Sequence, residues 1–400
     1  MNIPAFVKEY VIERDQSLFA PDILARHDEL EHEIKGKSVL VVGGAGSIGS
    51  SFIKEVLKFH PRELVAVDLN ENGLAELTRD LRSDSGITVP PVFLTYTLDF
   101  ASPVMAEIFR EHDGFDIVAN FSAHKHVRSE KDRFSVRALL ENNVIKARGF
   151  LDLLEQYPPR HFFCVSTDKA ANPVNIMGAS KRVMEDLIMA YRPKFKVTTA
   201  RFANVAFSNG SLPASFLDRM AKNQPLVAPK DVKRYFVSME ESGQICMLAC
   251  ILGNNGEVFF PKLGKEKLKT FSEICDAFLK ESGLEKHECA NDDEAKAFAA
   301  TNLPGPVYPV VYFNSDTTGE KDCEQFTVSG ETTDMARFKS LGVITETDNR
   351  SRQAVDGLID DLENLFSTVS YSKADIVKVL AAYLPNFHHE ELGKNLDDKM

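Results

Sequence analysis

The sequence predicts an α/β protein built on a doubly wound parallel sheet with a smaller C-terminal lobe, and three observations support this fold class. The first two hundred residues alternate between short apolar runs and helical segments, as expected of a parallel sheet covered on both faces. A glycine-rich turn joins the first apolar run to the first helix of this alternation. The chain has 400 residues, which leaves room for a second lobe beside one large core.

The predicted elements follow a helical N-terminal extension over residues 1–36. Within it, residues 22–35 are charged with few apolar positions, which indicates either a helix packed on the domain surface or an oligomer contact. The first strand, Ser38–Val42, is a continuous apolar run, as expected of a strand buried on both faces. Further strands are predicted at 63–68, 91–96, 115–121, 161–166 and 196–202. Helical segments are predicted at 50–59, 72–83, 102–111, 132–156 and 175–190.

The regular alternation stops after about residue 205, where several prolines divide the chain into short pieces. We therefore predict a sheet domain over residues 37–205, a mixed lobe over 206–345 and a C-terminal helical segment over 346–400. Residues 291–309 are rich in Asp, Ala, Asn and Pro, which predicts an exposed loop or insertion.

Charge and cysteine usage restrict the partners and the compartment. The net charge of −12 argues against nucleic acid or an anionic membrane as the main partner. The N-terminus carries Glu9, Glu13 and Arg14 where a signal peptide is apolar, and no apolar run approaches the ~20 residues of a membrane span. Cys246 and Cys250 have helical spacing in an apolar segment, which favours buried thiols over a zinc or redox site. We expect a cytoplasmic protein and predict no metal site.

The turn after the first strand, Val-Gly-Gly-Ala-Gly-Ser-Ile-Gly over residues 42–49, predicts a dinucleotide site. It reads as GxGxxG from Gly44 or as GxxGxxG from Gly43, directly between a buried strand and a helix. In a Rossmann-type domain such glycines form the turn and let a pyrophosphate approach the helix N-terminus. The residues expected to contact the dinucleotide are Gly43, Gly46, Ser47, Ile48 and Gly49.

Two aspartates follow later strands and bear on the choice of cofactor. Asp68 ends the second strand, where a carboxylate accepts bonds from the adenosine ribose and repels a 2′-phosphate. This position favours NAD over NADP, and a helix N-cap is the alternative role. Asp99 follows the third strand and is expected either at the adenine edge or as a plain turn residue.

The segments 165–169 and 177–181 have the form of a dehydrogenase active site without its tyrosine. Many nicotinamide-dependent enzymes present Tyr and Lys four residues apart on one helix face, with Ser or Thr about ten residues earlier. Here Thr167 and Lys181 are in place, but Met177 holds the tyrosine position and cannot take a proton. Thr167 or an ordered water near Lys181 would then have to help remove the hydroxyl proton.

Asp168 and Lys169 follow that threonine directly, at the carboxyl end of the fifth strand, where doubly wound sheets place their sites. A carboxylic acid beside an amine suits an elimination, because one group removes a carbon-bound proton and the other protonates a departing hydroxide. A solvated loop pair is the alternative, and an inactive enzyme is a second one.

The stretch 166–182, Ser-Thr-Asp-Lys-Ala-Ala-Asn-Pro-Val-Asn-Ile-Met-Gly-Ala-Ser-Lys-Arg, closely resembles the signature of bacterial UDP-N-acetylglucosamine 4,6-dehydratases. These are extended short-chain dehydrogenase/reductase proteins of polysaccharide and glycan biosynthesis, and the methionine variant is a branch of that family. The resemblance continues through residues 43–49, 123–127, Asn143 and 201–205, and covers roughly residues 37–265.

The resemblance implies a reaction on a UDP-sugar with tightly bound NAD. Hydride leaves sugar C4 to give a 4-ketone, Lys169 removes the C5 proton, Asp168 protonates the leaving C6 hydroxyl, and hydride returns to C6. Thr167 is the nearest hydrogen-bond donor for the ketone. A homo-oligomer, either a dimer or a hexamer, is also expected.

The resemblance also implies further contacts. Cofactor contacts are expected from Ala123, Lys125, Asn143 and Lys181. Substrate contacts are expected from Lys125, Asn204, Ser211, Arg234 and Glu320, with a surface role as the alternative for Arg234. The family's Arg-Pro-Gly-Glu-Lys motif is represented by Thr317-Thr318-Gly319-Glu320-Lys321, which lacks the arginine and the proline.

Other functions remain open from the residues alone. A nucleotide-sugar 4-epimerase or a simple dehydrogenase normally needs the missing tyrosine. A non-catalytic NAD-binding regulatory protein would have no use for Thr167, Asp168, Lys169 and Lys181 together.

Overall fold

The computed structural model describes residues 1–126, 130–315 and 324–389. The strands among them are β1 Ser38–Val42, β2 Glu63–Asp68, β3 Val92–Thr97, β4 Ile117–Asn120, β5 His161–Val165, β6 Val197–Ala200, β7 Asn204–Val205, β8 Leu226–Pro229, β9 Lys233–Arg234, β10 Phe236–Val237, β11 Val258–Pro261, β12 Lys269–Thr270, β13 Glu285–Cys289, β14 Val307–Phe313, β15 Thr332–Asp334 and β16 Leu341–Glu346. The helices are α1 Ile3–Phe6, α2 Ala20–Ala25, α3 His27–Ile34, α4 Ser47–Leu57, α5 Glu71–Ser83, α6 Pro103–Glu111, α7 Arg133–Leu140, α8 Lys146–Gln156, α9 Ile176–Met189, α10 Leu212–Ala221, α11 Met239–Leu252, α12 Phe271–Glu281, α13 Asp292–Asn302, α14 Arg352–Ser367 and α15 Lys373–Tyr383.

A nine-stranded sheet forms the centre of the molecule, in the order β15-β16-β11-β6-β5-β4-β1-β2-β3. The run from β3 to β11 is parallel throughout. β16 pairs antiparallel with β11, and β15 pairs antiparallel with β16. Apolar cores lie on both faces of this sheet, with helices packed over them. The predicted fold class, a Rossmann-type doubly wound α/β sheet, is confirmed, and each strand predicted before residue 205 is present.

The sheet does not end at the predicted boundary of residue 205. β11 pairs with β6 in parallel, and β16 and β15 then extend the sheet from residues 332–346. A long stretch of chain separates β11 from β6 and β16 from β11, so local patterns gave no indication of these two pairings. The late segment returns to the same edge of the sheet and is important for the site described below.

The second lobe contains a three-stranded parallel sheet, β13-β14-β8, with α12 and α13 packed on it. The predicted loop at 291–309 is wrong, because this segment forms α13 and the start of β14. Asn291 caps α13 by accepting a bond from the backbone N–H of Glu294. The buried residues of the helix are Ala295 and Ala299, whose small side chains give a weak apolar pattern.

The N-terminal extension packs against both lobes. Phe6 lies in the core of the second lobe, whereas Leu30 and Ile34 lie in one core of the main sheet. Arg14 forms a two-point ion pair with buried Glu241 at 2.6 Å for both contacts. Residues 22–35 therefore include helical segments packed on the sheet domain, and their part in an oligomer stays a prediction.

Two further predictions concern the burial of the cysteines and the presence of membrane-spanning helices. Cys246 and Cys250 are fully buried on α11, as predicted. Across the described ranges, none of the helices combines the length and the apolar character that crossing a bilayer requires.

Candidate active site

The glycine-rich turn lies so close to its neighbours that side chains would not fit. Gly43 has a φ of 76°, and a Cβ there would lie 2.8 Å from the backbone nitrogen of Ser122. A Cβ on Gly49 would lie 2.2 Å from the carbonyl oxygen of Gly43, so α4 packs directly on the turn. Gly46 is the N-cap of α4 and offers no side chain to cap the first turn. The first backbone N–H groups of α4 are therefore suited to hold an anion.

A cavity of about 260 Å³ lies beside this turn. Its lining includes Gly43, Gly46, Ser47, Ile48, Gly49, Asp68, Ala123 and Lys125. The carboxylate of Asp68 accepts bonds from the backbone N–H groups of Ala45 at 3.0 Å and Asn70 at 2.9 Å. The N-cap of α5 is Asn70, so the alternative role of Asp68 as a helix cap is wrong.

Asp99 has local partners. Its carboxylate pairs with the ammonium of Lys146 and accepts a bond from the backbone N–H of Ala101 at 3.0 Å. These contacts are those of a turn aspartate, and a contact with the adenine edge stays a prediction.

Asn143 fixes the loop that follows β4. Its side chain accepts a bond from the backbone N–H of His124 at 2.8 Å and donates to the carbonyl oxygen of His124 at 3.0 Å. It also donates to the hydroxyl of Ser180 on α9 at 3.1 Å. Asn143 therefore holds the neighbouring Ala123 and Lys125 in place relative to α9.

Asp168 and Lys169 form a contact pair directly after β5. The hydroxyl of Thr167 donates to Oδ1 of Asp168 at 2.8 Å, and Nζ of Lys169 lies 3.3 Å from the same oxygen. Asp168 is only 3% exposed. The alternative of a solvated loop pair is therefore wrong.

Helix α9 is placed tightly against this pair. Asn175 caps the helix by accepting a bond from the backbone N–H of Gly178 at 2.7 Å. A Cβ on Gly178 would lie 2.7 Å from the carbonyl oxygen of Lys169, so glycine is needed for this packing. One turn after Met177, the ammonium of Lys181 donates to the carbonyl oxygen of Val165 at 2.9 Å. Burial lowers the pKa of Lys181.

A second cavity of about 230 Å³ brings most of the predicted catalytic residues together. Its lining includes Thr167, Lys169, Met177, Lys181, Asn204, Ser211, Ile48, Phe121, Ala123 and Lys125. The last four of these also line the cavity beside the glycine turn, so the two cavities adjoin. Ser211 in addition caps α10 through its hydroxyl, which accepts a bond from the backbone N–H of Ala214 at 3.3 Å.

Two predicted substrate residues stand apart from this cavity lining. Arg234 is 6% exposed, so its alternative role as a surface residue is wrong. Its guanidinium donates to the carbonyl oxygen of Lys233 at 2.9 Å. Glu320 lies outside the described residues.

The sequence reasoning missed Glu324. Its carboxylate accepts bonds from the side-chain amide of Asn204 at 2.6 Å and from the backbone N–H of Tyr235 at 2.7 Å. Burial and then the charge of Asp168 raise the pKa of Glu324 to about 8, although Lys169 opposes this shift. The one available signal was that Glu324 is an acidic residue shortly after Gly319-Glu320-Lys321. No neighbouring residue indicated that it would lie beside the catalytic residues.

A buried ion cluster fixes the segment that carries Glu324. Arg201 on β6 pairs with Glu185 on α9 and with Glu331, at 2.7 Å and 2.9 Å respectively. Its guanidinium also donates to the carbonyl oxygen of Phe326 at 2.9 Å. Ser166 donates to the same Glu185 at 2.6 Å, so the cluster also supports the end of the segment that leads to Thr167.

The chain resembles a known protein family and several known proteins. Residues 39–300 match the model of a family described as polysaccharide biosynthesis protein. An uncharacterized membrane protein of Methanocaldococcus jannaschii is 31% identical over 253 residues, which are 62% of this chain and 72% of that protein. The capsular polysaccharide biosynthesis protein CapD of Staphylococcus aureus is 28% identical, with 59% of this chain and 39% of CapD covered. The chain thus matches less than half the length of CapD.

A third relative has a named activity. It is a UDP-N-acetylglucosamine 4,6-dehydratase (inverting) of Campylobacter jejuni, 25% identical, with 58% of this chain and 69% of that enzyme covered. Among solved structures, Pen from Bacillus thuringiensis has a TM-score of 0.64 at 18% identity and covers 80% of this chain and 91% of its own. The dTDP-glucose 4,6-dehydratase DesIV of Streptomyces venezuelae has a TM-score of 0.52 at 19% identity, with 73% and 92% covered. These two structures confirm the fold, and the match over residues 39–300 shows that the chain belongs to the polysaccharide biosynthesis protein family.

Proposed function

We propose that this chain is a nucleotide-sugar 4,6-dehydratase that uses tightly bound NAD, with UDP-N-acetylglucosamine as the favoured substrate. The observation that carries the proposal is the contact pair of Asp168 and Lys169, of which Lys169 lines a cavity that adjoins the glycine-rich turn while Asp168 is buried beside it. An acid and an amine at this position serve an elimination, and a simple oxidation has no need of them. The Campylobacter relative that carries the dehydratase name supports the same activity.

The residues beside the turn fit a dinucleotide with an unmodified ribose. The close approach at Gly43 and Gly49 leaves no room for side chains, and the uncapped first turn of α4 suits a pyrophosphate. Asp68 lines the same cavity and would repel a 2′-phosphate. When bound, NAD supplies a hydride acceptor for sugar C4 and a hydride donor for C6.

Two side chains account for the protons that are exchanged at C5 and on the leaving C6 hydroxyl. Lys169 removes the proton from C5, which the neighbouring 4-ketone has made acidic, and Asp168 protonates the C6 hydroxyl as it leaves as water. The hydroxyl of Thr167, which donates to Asp168 in this structure, would turn to donate to the oxygen on C4 during the reaction. One proton leaves O4 and one leaves C5, while one returns to C5 and one departs with the water, so the reaction is balanced without net oxidation.

A 4-epimerase is the second candidate, because curated relatives include UDP-glucose 4-epimerases of Rickettsia at 26% identity. Both reactions begin with oxidation at C4, so Met177 at the tyrosine position does not distinguish them. Elimination of water would have no part in that reaction, and the Asp168–Lys169 pair would then be unused.

Incubation of the purified chain with UDP-N-acetylglucosamine tests the proposal. We expect a product lighter by one water, and in D₂O we expect one deuterium at C5. The Lys169→Met variant should retain NAD and lose the elimination, whereas Lys35→Met, at an exposed position directly after α3, should keep it. A product of unchanged mass with inverted C4 would favour the epimerase, and no change in several UDP- and dTDP-sugars would exclude both activities.

We further propose that the enzyme works in the cytoplasm as a homo-oligomer. The five described cysteines are buried free thiols, which suits a reducing compartment. Light scattering of the purified protein would give the subunit number, and a monomer at micromolar concentration would contradict the proposed assembly.

A further inference from the structure

Three side chains with metal-binding groups meet in the second lobe. His287 and Cys289 lie on β13, and Glu294 lies in the first turn of α13. Each offers one ligand atom, and the imidazole nitrogen, the thiol sulfur and the carboxylate oxygen all lie within 4.8 Å of one another. None of these three residues lines either cavity of the candidate active site. The cluster is therefore separate from the proposed dehydratase chemistry.

The packing of α13 on the edge strand β13 brings the three groups together. Alternate residues of a strand point to the same face of the sheet, so His287 and Cys289 share one face. On that face Cys289 lies in a small apolar core with Ala295 of α13, and the ring of His287 stacks on Phe298 of the same helix with the centroids 4.1 Å apart. The first turn of α13 then places Glu294 beside both residues.

Each of the three groups is held by a neighbour. The stacking on Phe298, with 17° between the ring planes, fixes the orientation of the His287 imidazole. Cys289 is 3% exposed, so its thiol is confined by the core around it. The Glu294 carboxylate accepts a bond from the backbone N–H of Ala290 at 2.8 Å, and its second oxygen can bind a cation. Contacts that orient the ligands in this way are typical of metal sites.

The charges of the cluster suit a cation better than the bare protein. Burial and then the charge of Glu294 raise the pKa of the Cys289 thiol, because a thiolate beside a carboxylate is unfavourable. A divalent cation reverses this relation, since it attracts both anions and also binds a neutral imidazole. Sulfur, nitrogen and oxygen together are ligands that zinc accepts in proteins.

The spacing of the ligand atoms also allows zinc. A tetrahedral zinc ion holds its ligand atoms about 3.5 Å apart, so the widest separation has to close by roughly 1 Å. Glu294 is exposed, and its side chain can make this movement without disturbing the core.

We propose that His287, Cys289 and Glu294 bind one zinc ion, which joins the start of α13 to the edge strand β13. Water takes the fourth position of the tetrahedron. On binding, a zinc–sulfur bond replaces the sulfur–hydrogen bond of Cys289, and the proton leaves to solvent. The ion stabilises the second lobe, because the folded arrangement binds it better than the unfolded chain does. No metal site was predicted from the sequence, since these residues lack the paired spacing of a zinc motif.

Cobalt binding to the full chain, after treatment with a chelator, is the first test. Co²⁺ should bind with one equivalent and give the near-ultraviolet charge-transfer band of a cobalt–thiolate bond, and Zn²⁺ should displace it. Cys289→Ala should lose the band, whereas Cys275→Ala, which removes a buried thiol from α12, should keep it. A band that persists in Cys289→Ala, or zinc bound well below one equivalent, would overturn the inference.

The exposed acid provides a second pair of variants that leave the core intact. Glu294→Gln removes the charge but keeps an oxygen for the backbone N–H of Ala290, and it should weaken cobalt binding about tenfold or more. Glu288→Gln is the control, because Glu288 is exposed and points to the opposite face of β13. If Cys289→Ala does not fold, this pair decides, and equal cobalt affinities in the two variants would refute the site.

Thermal unfolding separates this site from incidental binding of zinc elsewhere on the surface. Zinc should raise the Tm of the full chain by a few degrees and leave that of Cys289→Ala unchanged. An equal rise in both proteins, or no rise in the unmutated chain, would contradict the stabilising role. These measurements need no turnover, so they decide the zinc site whether or not the chain dehydrates a sugar.

Discussion

Arg201 and Glu185 form an ion pair that is closed to solvent, with two guanidinium–carboxylate contacts of 2.9 and 2.7 Å. Burial raises the pKa of Glu185, but the charge and hydrogen bond of Arg201, together with Arg182 and Ser166, hold it below its usual value. Removing one partner of such a pair leaves the other as an uncompensated buried charge. The pair lies behind the segment that carries Thr167, so its loss affects both stability and the site.

We therefore expect Arg201→Met to lower the free energy of unfolding by about 3–5 kcal/mol. The matched control is Arg79→Met, since Arg79 pairs with Glu76 on the surface of α5 with both side chains largely exposed. That change should cost no more than about 1 kcal/mol. Urea unfolding followed by circular dichroism measures both values, and equal losses would show that the buried pair does not stabilise the fold.

Gly178→Ala should impair turnover more than cofactor binding. The added Cβ meets the carbonyl oxygen of Lys169 at 2.7 Å, so Lys169 or the start of α9 has to move. Displacements of this size at a reacting group lower rates by up to about 100-fold. In the control Gly149→Ala, the new Cβ has no neighbour within 4 Å, and alanine should stabilise α8 slightly. Comparable losses of kcat in both variants would contradict the close packing.

Gly49→Ala should abolish NAD binding. A Cβ at this position lies 2.2 Å from the carbonyl oxygen of Gly43, which forces α4 away from the turn that would hold the pyrophosphate. Gly357→Ala on α14, where the Cβ meets nothing within 4 Å, is the control. Absorbance of cofactor released from the denatured protein measures occupancy, and a Gly49→Ala variant purified with full NAD would refute this prediction.

Asp68→Asn should shift the cofactor preference toward NADP. Removing the carboxylate removes its repulsion of a 2′-phosphate, and a change of about 1.4 kcal/mol corresponds to tenfold in the affinity ratio. Asp99→Asn should leave the NAD-to-NADP ratio unchanged, because Asp99 pairs with Lys146 and an adenine contact would affect both cofactors alike. Calorimetric titration of cofactor-free protein gives the ratios. An unaltered NAD-to-NADP affinity ratio in Asp68→Asn would show that the adenosine ribose does not lie at Asp68.

The first half of the fold was predictable because its strands are buried on both faces, except for β3 at the edge of the sheet. Ser38–Val42 and Glu63–Asp68 were predicted with the bounds that the structure has, since continuous apolar runs mark them clearly. The glycine turn and the Thr167–Lys181 spacing were readable for a similar reason, because their geometry is fixed within a short stretch of chain.

The rest depended on contacts between distant residues. Pairing of β11 with β6 and of β16 with β11 has no local signature. Helix α13 buries only the small side chains of alanines, so its sequence lacks a strong apolar pattern and was predicted as a loop. Glu324 becomes part of the site only through Asn204, which lies 120 positions earlier in the chain.

The return of residues 324–346 to the central sheet has a consequence for protein engineering. The family match ends at residue 300, so a chimera designed from aligned relatives would have its junction near there. Such a junction would separate Arg201 from Glu331 and Asn204 from Glu324, and would remove two strands from the sheet edge. A donor of altered sugar specificity must therefore contribute its late segment together with β6 and α9, as one exchangeable unit.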